Sequence, residues 1–130
     1  MAGKMILPVI KDISSTDWDG VSEVSDEKFC LWFHVEIGQS GTSAADLFQI
    51  GACNSAWAES NVSGEHFKVF SENVHFVLKH IILVERLDVQ IIVDKIGILI
   101  EMKGPYGSWR DFAERMSDYL IWEYEGMEPH

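Results

Sequence analysis

Histidines, cysteines and paired carboxylates are the side chains from which catalytic and metal sites are built, and this sequence contains all three. Five histidines and two cysteines are present. His66, His75 and His80 are spaced by nine and five residues, and neither H-x-x-x-H nor C-x-x-C occurs. Such spacing does not bring ligands to one helix face or one tight loop, so it does not point to a metal. His34 and Cys30 would suit a base and a nucleophile. They stand four residues apart on an expected strand, roughly 13 Å, too far to touch. Carboxylate pairs such as Asp17/Asp19, Asp26/Glu27 and Glu123/Glu125 arise readily in a chain with 21 acidic residues. Nothing singles out one of them as an acid–base dyad. Gly38 and Gly41, like Gly104 and Gly107, sit in turn sequences rather than in a strand–loop–helix phosphate cradle. The expectation is a protein that is not an enzyme, with no catalytic residues, no metal and no cofactor.

The charge carries more information. Ten basic residues stand against 21 acidic ones, for a net charge of −11. Residues 1–11 carry +2, residues 12–67 carry −9 with Lys28 as their single base, and residues 68–130 carry −4. A surface of this sign does not hold a nucleic-acid backbone, which requires Lys and Arg, and anionic membranes repel it. It can attract a basic protein, or serve solubility alone. Five tryptophans add a second feature. Trp57 and Trp109 fall on expected inward faces. Trp18 lies inside the acidic stretch, where it either anchors a protein partner or folds back over a sheet edge.

These residues must be positioned by a small set of elements. The length, 130 residues, suits a single domain spanning 1–130. The longest apolar runs, Ile81–Val84 and Ile96–Ile100, fall far short of the roughly 18 residues of a membrane span. Met5–Ile10 is too short for a signal sequence, so a cytoplasmic protein is expected. Two cysteines are too few for a disulfide scaffold, and they read as thiols.

Residues 5–14 read as a strand, and 15–28 as an exposed acidic loop. Residues 29–37 and 45–53 alternate apolar and polar side chains around the turn Gly38–Ser43. A hairpin centred between Gly41 and Thr42 sets Phe33 against Ile50, Val35 against Phe48 and Cys30 against Cys53, which joins the apolar faces. Asn54 caps a short helix through Ala58. Residues 67–70 suggest a short strand, 71–78 fit either helix or strand, and 79–87 read as a central strand. Asp88 caps a helix over 89–103, and Ser108 with Asp111 opens a last helix with an apolar face reaching Leu120. Ile121–Glu125 reads as a closing strand. The whole is an α+β domain: an antiparallel or mixed sheet of about five strands with two main helices packed on one face.

Three segments carry a family resemblance. FCLWFHVEIGQSG (29–41) followed by Cys53 and Trp57, HIILVERLD (80–88), and SWRDFAERMSDYLIWEYE (108–125) resemble, in order and spacing, the immunity protein 8 family of bacterial polymorphic-toxin and contact-dependent growth inhibition systems. The chain departs from that family's pattern at Asn54-Ser55, where Thr-Pro is common, at Leu87-Asp88-Val89, and in a longer segment 60–78. The resemblance implies a cytoplasmic antitoxin that binds and neutralises one cognate toxin domain, often a nuclease. A nuclease is basic where it holds nucleic acid, so the acidic loop is the expected toxin-binding surface: Asp17, Trp18, Asp19, Glu23, Asp26 and Glu27. Glu123 and Glu125 form a second candidate group, with sheet support as their other reading. A nucleic-acid mimic that inhibits a DNA- or RNA-binding protein is the alternative. It shares the charge but not the family segments.

Overall fold

The computed structural model describes residues 5–19, 27–62, 68–71 and 74–124. The elements follow as β1 (Pro8–Ser14), β2 (Cys30–Gln39), β3 (Asp46–Cys53), α1 (Ser55–Asn61), β4 (Lys68–Ser71), β5 (Val74–Leu78), β6 (Ile81–Leu83), α2 (Val89–Lys103), α3 (Trp109–Met116) and β7 (Ile121–Trp122). Among the described residues, seven strands form one mixed sheet in the order β1-β2-β3-β6-β5-β4, with β7 joining β3. The α+β class with α2 and α3 on one face stands, with a mixed sheet and more strands than expected.

The β2–β3 hairpin has the register that alternation demands: Phe33 faces Ile50, Val35 faces Phe48 and Cys30 faces Cys53. Its turn uses glycine twice. Gly41 takes a φ of +85°, and a Cβ on Gly38 would meet the Ala44 carbonyl oxygen at 2.0 Å, so the loop folds tightly against the strand. The second edge of β3 is shared. Gly51–Cys53 pair in parallel with β6, and Phe48–Gln49 pair antiparallel with β7.

Alternation splits the sheet into two faces. Phe33, Val35, Ile37, Phe48, Ile50, Phe76 and Ile82 face Ile92, Ile96 and Leu99 of α2 and Phe112 and Met116 of α3, all buried in one core. On the opposite face, Cys53, Val77 and Ile81 pack with Ala58 of α1, bordered by Cys30, Trp32 and Trp57. The helix caps are the ones expected: Asn54, Asp88 and Ser108 accept from Trp57, Gln90 and Asp111 amides respectively.

Three expectations are corrected. The strand expected over 79–87 is only Ile81–Leu83, because Lys79 and His80 form the β5–β6 turn, with His80 at a φ of 71°. The last helix stops at Met116 rather than Leu120, since Tyr119 and Leu120 amides both turn back to the Met116 carbonyl. The closing strand is only Ile121–Trp122; Glu123 and Tyr124 already lie in a turn, although Glu123 still bonds to Leu47. Residues 71–78, left open between helix and strand, include strand β5.

Candidate interaction surface

The acidic stretch begins where β1 ends, and its first residues are built into the sheet. Past Ser14, the last residue of β1 paired to β2, side chains continue the ladder. Ser15 Oγ donates to the Trp32 carbonyl at 2.8 Å, and Asp17 Oδ2 accepts the Trp32 amide at 3.1 Å. The Asp17 amide donates to Ser15 Oγ at 3.1 Å, which closes the turn. Trp18 then folds back, with its ring edge-on to Phe33 at 6.3 Å between centroids. It is partly buried against the main core, which is the second of its two readings. Asp19 is exposed beside it.

Glu27 re-enters at the other side of the loop, and its carbonyl accepts from Asn54 Nδ2 at 2.6 Å. Asn54 thus ties the end of the loop to the start of α1, because its Oδ1 also accepts the Phe29 and Trp57 amides at 3.2 and 3.1 Å. Glu23 and Asp26 lie outside the described residues, as does Glu125.

Glu123 is held elsewhere. Its Oε1 accepts the Leu47 amide at 2.9 Å, and its own amide donates to the Leu47 carbonyl at 3.0 Å. It therefore extends β7 along β3, as its sheet-supporting reading has it. Leu47 stands opposite Glu36 and Gly51 opposite Trp32. The two candidate groups are therefore roughly 13 Å apart along the strands, with further separation across the sheet. The structure does not merge them.

Two acidic positions not singled out from the sequence join the first group. Asp12 of β1 stands opposite Glu36 of β2, and both are exposed. Like charges placed directly across a ladder repel, and among the described residues neither forms an ion pair. With Ser14 opposite His34 between them and Asp17, these residues run in a line along the outer side of β1 and β2. By contrast, the acids of α3 are neutralised locally: Asp111 pairs with Arg115 and Glu114 with Arg110, each at 3.0 Å.

Asp46 was also missed. Its Oδ2 accepts both the Trp109 and Trp122 indole N–H groups, at 2.5 and 2.9 Å. A part-buried indole N–H needs an acceptor, but the partners are 63 and 76 residues away, so no local pattern reveals the contact.

Of the side chains considered for chemistry, His66 lies outside the described residues, and His80, Cys30 and Cys53 have structural surroundings. His80 Nε2 lies 2.7 Å from the Ser117 carbonyl, and since a carbonyl only accepts, that nitrogen carries the proton. Cys30 and Cys53 face each other as free thiols. Burial, then the charge of Cys30, pushes the Cys53 thiol up to about 12. Burial, then Asp17, raises Cys30 as well. Neither is tuned as a nucleophile, which needs a lowered value. Among the described residues, no three of His, Cys, Asp and Glu come together as a metal-holding group, and no helix is long and apolar enough to cross a membrane.

No curated protein and no solved structure matches the chain. The sequence profile of one family, immunity protein 8, matches residues 8–127. That match takes in the sheet, all three helices and the acidic turn after β1, and it carries the expected kind of partner, a toxin. The chain belongs to the immunity protein 8 family.

Proposed function

We propose that this immunity protein works in the cytoplasm as a stoichiometric antitoxin. It binds the toxin domain of a polymorphic-toxin or contact-dependent growth inhibition system, a basic nuclease, and covers its active site or its substrate-binding surface. The observation that carries this reading is the charge distribution on a member of an immunity family: −9 over residues 12–67, part of it a line of exposed acids on β1 and β2. No chemistry of its own is required, only occlusion. The contact set begins with Asp17, Trp18, Asp19, Glu23, Asp26 and Glu27, and Glu123 and Glu125 form a second, separate set. Asp17 and Trp18 hold the turn, so they shape the surface as well as border it. Opposite charge steers such partners together at up to about 10⁸–10⁹ M⁻¹s⁻¹ at low salt.

The test is stopped-flow association with the toxin domain encoded immediately upstream. Reversing Asp19, Glu23, Asp26 and Glu27 to Lys is expected to slow association about tenfold or more at low salt and to flatten its salt dependence. An unchanged rate and salt slope would remove the loop from the interface.

A further inference from the structure

The sheet order leaves β1 at an edge, and that edge is shaped as a docking groove. Leu7 bonds through its carbonyl to the Ser40 amide of the hairpin. By strand alternation, the peptide groups of Pro8 and Ile10 then face away from β2. On the ladder beyond the bulge, Asp12 and Ser14 pair inward with Glu36 and His34 while Ile13 faces out. Among the described residues, no strand pairs with this outer side.

Beside the edge, β1 and α2 enclose a shallow groove lined by Val9, Ile10, Val93, Gly97 and Ile98 and rimmed by Asp94 and Glu101. Gly97 is the telling residue. A Cβ built on it meets no heavy atom within 4 Å, so nothing in the fold requires a glycine there, although glycine weakens a helix interior. Just before β1, Met5 and Leu7 are 54% and 67% exposed. On the other side of the β1 edge stand Asp12 and Glu36.

We propose that this groove receives an extended segment of the toxin, added as a strand to the outer edge of β1. The inference rests on the antitoxin reading above and names the surface that reading uses. A strand placed there sends alternate side chains to opposite faces. One set, small and apolar, enters the groove over Gly97. The other set, Lys or Arg, meets Asp12 and Glu36. A second copy of this chain fits poorly, because each copy carries −11 and like charges would meet along the rim.

The experiment uses the full chain and the upstream toxin domain, inactivated for handling. Gly97→Trp fills the groove from an exposed helix position, and Gly97→Ala is the control that adds only a methyl. Thermal unfolding confirms that both fold. Gly97→Trp is expected to weaken binding about thirtyfold or more, with Gly97→Ala close to wild type. Asp12→Lys with Glu36→Lys is expected to weaken it about tenfold, mostly through association. Amide exchange at Ile10 and Ile13 slows when toxin is added. Wild-type affinity in folded Gly97→Trp, or unprotected Ile10 and Ile13 amides in the complex, overturns the groove assignment while leaving the antitoxin reading standing. A wild-type chain that fails to bind this toxin overturns both. A wild-type dimer that Gly97→Trp converts to monomer assigns the groove to self-association and overturns the proposal.

Discussion

Asp46 joins three distant parts of the chain through one oxygen atom. Trp109 opens α3 and Trp122 ends β7, and both donate their indole N–H to the same Oδ2. Removing that acceptor leaves two part-buried donors unpaired, at about 1–3 kcal/mol each. Asp46→Ala is therefore expected to lower stability by about 2–4 kcal/mol in urea unfolding, and adding Trp122→Phe to it should recover part of the loss. The cysteines give a pH signature. Cys53 is held protonated up to about 12 by burial, and burial likewise moves Tyr106 up to about 12. Unfolded, these groups lose their protons near 8.5 and 10, so between about pH 9 and 12 the unfolded chain binds fewer protons than the folded one. Stability then falls as pH rises through that window, and it is unaffected by these groups below it. Chemical denaturation from pH 8 to 11 checks the direction, and Cys53→Ala should flatten the early part of the decline. In the same way, native Cys53 is expected to react with iodoacetamide far more slowly at pH 8 than an unfolded thiol.

The elements differ in how openly the sequence announces them. The β2–β3 register was legible because a one-residue slip would turn every apolar side chain of the hairpin to the wrong face. Helix α2 was legible from Asp88 and the spacing of Ile92, Ile96 and Leu99, despite its β-branched content. The β5–β6 turn was not, because His80 takes a positive φ without the glycine or asparagine that usually marks one. The run Ile81–Val84 then looked longer than the strand it forms. Strand β7 was overread because β3 begins at Asp46, so past Trp122 only Leu47 and Asp46 are left to pair with it. At the candidate surface, the sequence pointed to Asp17–Asp19 through charge density. It could not show Asp12 against Glu36, since a like-charged pair appears only once β1 finds its register. Two predictions belong to this scale. Asn54→Ala breaks the α1 cap and the anchor of Phe29 and Glu27 together, and is expected to cost about 1–2 kcal/mol or slightly more. Gly97→Ala should raise stability by about 0.5–1 kcal/mol, because the space beside Gly97 is open.

For the whole molecule, charge and fold together set acids beside one rim of the sheet. The two main helices and α1 cover the two faces of the sheet, while β1 lies at its rim with acids on both sides. The basic residues of α3 are spent on their own acids, and Lys95 is buried against Glu85 at 3.0 Å. Along the β1 rim stand Asp12, Glu36, Asp94 and Glu101, and the one base of β1, Lys11, donates its Nζ to the Thr42 carbonyl. Raising salt from about 0.01 M to 0.15 M shortens the screening length from roughly 30 to 8 Å, and association with the toxin should slow accordingly while dissociation changes little. Neutralisation by occlusion is best checked by a titration. The upstream toxin domain is assayed for cleavage of RNA and DNA while this protein is added. Cleavage is expected to fall linearly and to end at one equivalent. Cleavage that continues at a several-fold excess of antitoxin, with the two proteins bound or unbound, would contradict it.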